Sequence, residues 1–126
     1  MYFIYARKSL FTGKGESVET QISLAKEYII KKYPDAKDDE FEIYIDEGYS
    51  GKNTERPDFK RMIRDLKKKP KCIACYRLDR ISRSVSDFST LIEKLNAHNI
   101  AFICIKEEFD TSKPMGKAMM YIASVF

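Results

Sequence analysis

Hydrophobic and polar residues form blocks along this chain that predict strands and helices in alternation. Short, nearly continuous apolar runs predict buried strands, and longer blocks with apolar residues three and four positions apart predict amphipathic helices. Strands are predicted at residues 2–6, 41–45, 71–77 and 100–105. Helices are predicted at residues 17–33, 57–69 and 84–99, with a last helix opening at Pro114.

Prolines and a capping serine mark the ends of these helices. Ser17 can cap the first helix, and Pro34 ends it. Pro57 suits the first turn of the second helix, and Pro70 stops that helix. Polar loops are expected at residues 46–56 and 107–113.

The alternation of strands and helices predicts an α/β fold. We expect a mostly parallel central sheet of about four or five strands, flanked by helices. The chain has 126 residues, of which 44% are apolar, and this suits one globular domain with one core. In such sheets the functional groups collect in the loops at the carboxyl ends of the strands.

Polar residues that could form a site follow all four predicted strands. Arg7 and Ser9 follow the first strand, and the loop at 46–56 follows the second. The basic segment 77–83 follows the third strand, and Thr111 lies in the loop after the fourth. All of these groups are therefore expected at one edge of the sheet.

A serine among several arginines is suited to attack on a phosphodiester. Phosphoryl transfer needs an in-line nucleophile and positive charge around the phosphate, and an arginine can donate two parallel hydrogen bonds to it. Ser9 is the candidate nucleophile, and Arg7 projects to the same side of an extended chain. Arg80 and Arg83 would share one face of a helical turn, and Arg56 could reach in from the loop.

Some of these residues also have a purely structural interpretation. Ser9 could cap a turn, and Asp79 could cap a helix, orient an arginine or accept a proton. Cys72 and Cys75 have the spacing of a redox or metal motif, but positions three apart in a strand point to opposite faces. We interpret both cysteines as core residues and expect neither a metal nor a cofactor.

Net charge, hydropathy and cysteine count indicate the type of partner and the cellular compartment. The net charge of +4 is a weak indication of an anionic partner. No apolar run approaches the roughly 20 residues needed to span a bilayer, and the N-terminus lacks a signal-peptide pattern. The odd number of cysteines, three, favours a reducing compartment, so we expect a cytoplasmic protein.

Four short motifs in register resemble the catalytic domain of the serine recombinases, the resolvase/invertase family. The motifs are YARKS at 5–9, YSG through ERP at 49–57, LDRISR at 78–83 and MGK at 115–117. The loop SGKNTERP at 50–57 and the DTS at 110–112 look more like the large serine recombinases, which include phage integrases and mobile-element transposases.

The resemblance implies a mechanism for site-specific recombination. Ser9 would attack a DNA phosphodiester, become joined to the 5′ phosphate and release a 3′ hydroxyl, with no ATP or metal. A tetramer would cut, exchange and religate the strands. The residues implied at the scissile phosphate are Arg7, Arg56, Arg80 and Arg83, with Asp79 in support. The possible supporting residues are Tyr5, Gln21, Asp46, Ser50 and Thr111.

The resemblance also implies a domain organisation. Residues 1–126 would be the catalytic domain, cut within its last long helix and lacking the parent's DNA-binding domains. The parent is expected to bind double-stranded DNA and to form dimers and synaptic tetramers. This fragment is expected to be a monomer or weak dimer that is inactive alone. Two alternatives stay open: an inactive DNA-binding or assembly module on the same fold, and a hydrolase of smaller phosphoesters.

Overall fold

The protein, described by a computed structural model, is built on one five-stranded sheet with helices on both faces. The structure describes residues 1–9, 17–48, 56–77 and 85–112. The strands are β1 (Tyr2–Ser9), β2 (Phe41–Gly48), β3 (Cys72–Cys75), β4 (Ala101–Cys104) and β5 (Phe109–Asp110). The helices are α1 (Val18–Lys32), α2 (Pro57–Arg64) and α3 (Val85–Ala97), with 3₁₀ helices at Asp38–Glu40 and Asp65–Lys68.

The strand order in the sheet is β2-β1-β3-β4-β5. Strands β1 to β4 are parallel, and only β5 runs antiparallel, against β4. The predicted α/β fold with a mostly parallel sheet is therefore confirmed. Strand β5 was predicted as loop because it has only two residues, too few to show a strand period, and it follows a turn in which Glu108 has a φ of 58°.

Local signals start α1 and α2 where the sequence predicts, but α2 ends at Arg64 rather than near residue 69. The Ser17 hydroxyl accepts a hydrogen bond from the Thr20 N–H at 3.1 Å, which satisfies one of the unpaired donors of the first turn of α1. Pro57 occupies the first turn of α2. The segment after α2 tightens into a 3₁₀ helix and leaves the helical region at Lys69. Lys69 precedes Pro70, and a proline disfavours helical geometry at the residue before it.

The sheet separates two hydrophobic layers. Helices α2 and α3 cover one face, and α1 covers the other. The α2/α3 layer contains Phe3, Tyr5 and Cys75, whereas the α1 layer contains Ile4 and Cys72. The prediction that the two cysteines face opposite ways is confirmed, since side chains alternate along a strand. All three cysteines are buried and free.

A partly buried ion pair links α1 to β5. Lys32 Nζ lies 2.8 Å from the Oδ2 atom of Asp110, and the Tyr28 hydroxyl donates to the same oxygen at 2.7 Å. The Ser112 hydroxyl and N–H donate to Asp110 Oδ1. Burial alone would raise the pKa of Asp110, but the hydrogen bonds from Lys32, Ser112 and Tyr28 outweigh it and hold the pKa below its usual value. Within the described ranges, none of the helices has the length and apolar character that a bilayer crossing requires.

Candidate active site

Three side chains that are distant in sequence meet at the carboxyl ends of β1 and β2. The Tyr5 hydroxyl donates to Asp46 Oδ2 at 2.8 Å. The same hydroxyl oxygen accepts a hydrogen bond from Arg56 Nε at 3.3 Å. Tyr5 thus links a buried carboxylate to an arginine that stands at the start of α2. The structure brings together three of the predicted site residues.

Asp46 fixes the start of α2. Its Oδ1 atom accepts the Asp58 N–H at 2.8 Å, and its Oδ2 atom accepts the Phe59 N–H at 2.9 Å. These donors belong to the first turn of α2, whose N–H groups have no partner within the helix. The carboxylate is only 3% exposed, and the helix N-terminus also favours its negative charge. Asp46 therefore acts as a tertiary cap that ties α2 to the sheet.

The prediction that Asp46 lies in a loop is wrong. Strand β2 runs on to Gly48 because the parallel pairing with β1 continues, with Arg7 opposite Asp46 and Ser9 opposite Gly48. The polar residues 46–48 are thus part of the sheet. Polarity misled the prediction, since Asp46 is polar but fully engaged by hydrogen bonds in a buried position.

The Arg56 guanidinium lies against two aromatic rings, those of Phe59 and Tyr5. Its central carbon is 3.9 Å from the centroid of the Phe59 ring and 5.3 Å from that of Tyr5. The two rings meet edge to face, with centroids 5.5 Å apart and an angle of 73° between their planes. The sequence pattern marked Phe59 only as an apolar residue of α2. Its three-residue spacing from Arg56 was the signal that could have found this contact.

Arg7 is held through its main chain by Gln21 of α1. The Arg7 N–H donates to Gln21 Oε1 at 3.3 Å, and Gln21 Nε2 donates to the Arg7 carbonyl at 3.1 Å. The pairing of β1 with β3 ends at Tyr5, so the amide of Gln21 continues the hydrogen bonding beyond the end of β3. Gln21 is 2% exposed and Arg7 is 6% exposed, so both lie inside the protein.

The phenol of Tyr5 is a donor rather than a base. Burial raises the pKa of Tyr5 well above its usual value, and the contacts with Arg56 only partly oppose this shift. The hydroxyl therefore keeps its proton throughout the neutral range. Tyr5 can orient Asp46 and Arg56, but it does not supply a negative charge to the site.

Thr111 lies apart from this cluster. Its hydroxyl accepts the Phe102 N–H at 2.8 Å, and its own N–H donates to the Phe102 carbonyl at 3.0 Å. It follows β5, which is three strands away from β1 in the sheet order. At about 4.8 Å per strand this is roughly 14 Å. The structure does not bring Thr111 to the group formed by Tyr5, Asp46 and Arg56.

Several predicted site residues lie outside the described part of the chain. They are Ser50, Asp79, Arg80 and Arg83. Ser9 is the last residue of β1. Its side chain, and therefore its hydroxyl, lies outside the described part of the structure. Among the described residues, no group of three or more His, Cys, Asp or Glu side chains is placed to hold a metal ion.

Comparisons with known proteins agree on one family. A family model described as "Resolvase, N terminal domain" matches residues 2–126. A DNA-invertase of Enterobacteria phage P7 is 33% identical over 81 residues, which are 64% of this chain and 43% of that relative. A putative DNA recombinase of Bacillus subtilis (strain 168) is 34% identical over 115 residues, which are 89% of this chain and 22% of that relative.

A solved structure is similar over nearly the whole chain. The N-terminal catalytic domain of TP901-1 integrase is 32% identical, with a TM-score of 0.75, and the match covers 98% of this chain and 91% of that one. The chain spans less than half of the length of the phage invertase relatives it matches.

Proposed function

This chain belongs to the resolvase N-terminal domain family, and on that premise we propose that it is the catalytic domain of a site-specific DNA recombinase. The observation that carries the proposal is the position of Arg56. Tyr5, Asp46 and Phe59 hold this arginine at the carboxyl edge of the sheet, beside the strand that carries Arg7. A positioned guanidinium is suited to bind a phosphate through two hydrogen bonds.

In the proposed reaction the Ser9 hydroxyl attacks a DNA phosphodiester. A bond forms between Ser9 Oγ and phosphorus, and the bond from phosphorus to the 3′ oxygen breaks. The proton lost by the serine is balanced by the proton that the 3′ oxygen gains. The serine–phosphate ester keeps the free energy of the broken bond, so religation by the reverse attack needs no ATP.

Each arginine of the site would neutralise charge on the phosphate as the transition state forms. Arg7 and Arg56 approach from β1 and from the start of α2, and Arg80 and Arg83 would complete the set. Such preorganised donors stabilise developing charge without rearranging during the reaction. Asp79 would orient an arginine, and Ser50 would lie close to the phosphate.

Asp46 would support the site without exchanging protons in it. Its two oxygens accept three hydrogen bonds, from Tyr5 and from two N–H groups of α2. Gln21 would act in a similar way on Arg7, by holding the main chain at the end of β1. Both residues would shape the site from behind the phosphate-binding groups.

The whole protein would supply what this domain does not. We propose that double-stranded DNA is its substrate, that further domains recognise the DNA site, and that dimers and a synaptic tetramer carry out strand exchange. We place this activity in the cytoplasm, where bacterial or phage DNA is found.

The test is to trap a covalent link between the full-length protein and DNA. DNA joined to the wild-type protein in cells is recovered and sequenced to identify the site, and a duplex of that sequence is then used in vitro. Wild type should form a protein–DNA adduct through a 5′ phosphate, and Ser9→Ala should not. An adduct with both proteins would reject Ser9 as the nucleophile. An adduct with neither, while DNA binding persists, would instead support a binding or assembly module.

A further inference from the structure

We infer that Phe59 is a positioning residue of this site, whose ring holds the Arg56 guanidinium in the orientation that the scissile phosphate requires. This inference rests on the proposed function, because it assigns Arg56 to the phosphate. It adds a residue that the pattern of the sequence places only in the hydrophobic core. The argument depends on the ring contact, on what fixes the ring, and on the geometry of an arginine.

The contact between the two side chains is close. The guanidinium carbon of Arg56 lies 3.9 Å from the Phe59 ring centroid, which is the shortest cation–ring distance in the described part of the chain. A cation within about 6 Å of an aromatic centroid is attracted by the ring's electron-rich face. At 3.9 Å the guanidinium lies against the ring.

The Phe59 ring is itself fixed from two sides. The main-chain N–H of Phe59 donates to Asp46 Oδ2, and the side chain of Phe59 packs against the hydrophobic layer under α2. Asp46 Oδ2 also accepts the Tyr5 hydroxyl, and Tyr5 accepts Arg56 Nε. One carboxylate oxygen therefore sets the positions of both groups that contact the arginine, the ring and the phenol.

The geometry of arginine explains what the ring contributes. The N–H donors of a guanidinium lie in its plane, and a ring stacked on the flat face restricts the side chain without competing for those donors. Tyr5 binds Nε at the edge of the group, and the Phe59 ring centroid lies 3.9 Å from the guanidinium carbon. Together the two contacts restrict the orientation in which the guanidinium would meet a phosphate.

A series of fluorinated rings at position 59 tests this role in the full-length protein. Phe59 is replaced by phenylalanine with one, two or three ring fluorines, which weaken the negative face of the ring but keep its shape and apolar character. The rate of adduct formation on the captured DNA site should fall with each fluorine, to about one third with three. Phe59→Leu should lower the rate about tenfold, whereas Phe59→Tyr, which keeps an aromatic ring, should retain most of the wild-type rate.

The control series carries the same fluorines at Phe3, which is fully buried in β1. These proteins should react at the wild-type rate, and thermal unfolding should confirm that both series are folded. A flat fluorine series at Phe59, with wild type active, would overturn the inference, because a ring that acts only by packing is insensitive to its charge distribution. An inactive wild type would instead reject the proposed function.

Discussion

Replacement of Asp46 by alanine should destabilise the protein by about 3 to 5 kcal/mol, because three donors inside the protein lose their charged acceptor. The variant loses three hydrogen bonds to the carboxylate, from the Tyr5 hydroxyl and from the main-chain N–H groups of Asp58 and Phe59. A hydrogen bond to a charged group contributes roughly 1.5 to 3 kcal/mol, and the removal of a buried charge offsets part of the loss.

Asp58, in the first turn of α2, provides a matched control. Asp58 also accepts a main-chain hydrogen bond, from the Ile45 N–H at 2.9 Å, but its side chain is 32% exposed and its contact with Arg61 is at the surface. Water can replace these interactions in the variant. Asp58→Ala should therefore cost about 1 kcal/mol or less.

Urea unfolding followed by circular dichroism measures both variants. At a typical slope of about 2 kcal/mol per molar urea, Asp46→Ala should lower the midpoint by about 2 M and Asp58→Ala by less than 0.5 M, roughly. Equal midpoint shifts at unchanged slope would refute the reasoning. They would mean that the carboxylate of Asp46 contributes no more than an exposed acid, and hence does not hold α2 to the sheet.

Three further outcomes test other parts of the structure. Gln21→Leu removes both hydrogen bonds to the Arg7 main chain and should cost about 1 to 3 kcal/mol in urea unfolding, while a variant as stable as wild type would reject the clamp. The pKa of Asp110 is lower in the folded protein than in the unfolded chain, so the unfolded chain binds the proton more tightly. The ionised carboxylate therefore stabilises the folded protein above pH ~4, and this stabilisation is lost as the pH falls through the folded pKa. Asp110→Asn should therefore flatten the stability profile below pH ~4, and an unchanged acid limb would contradict this account. Burial raises the pKa of the Cys72 thiol to about 12, so a thiol reagent at pH 8 should label it only after unfolding; rapid labelling of the native protein would show that the thiol is accessible.

The arginine cluster at the edge of the sheet illustrates how far sequence reasoning reaches. Arg7 and Arg56 were predicted in the loops after the strands, because parallel strands bring those loops together at the carboxyl edge. Both lie near that edge, but Arg7 belongs to β1 itself, since β1 runs on to Ser9 instead of ending at residue 6. Phe59 was missed as part of the site because an apolar residue at helical spacing has the same pattern whether it packs on leucine or on a guanidinium. Only the distance from the Arg56 guanidinium carbon to the Phe59 ring distinguishes these two roles.

Thr111 shows the opposite error. The sequence placed it at the same edge as Arg7, because it follows the fourth predicted strand. Strand β5 reverses the chain and carries Thr111 back along β4, where its hydroxyl bonds to Phe102. A two-residue strand leaves no periodic signal, so this reversal could not be read from the pattern of residues.

Local periodicity and capping chemistry were enough to determine the alternation of strands and helices, the start of α1 at Ser17 and the opposite faces of Cys72 and Cys75. These features depend on residues a few positions apart. The tertiary structure decided which side chains meet: Tyr5 with Asp46, 41 residues away, and Tyr5 with Arg56, 51 residues away. Strand order and register set those meetings, and because hydrophobic patterning is the same for many strand orders, only the folded sheet could specify them.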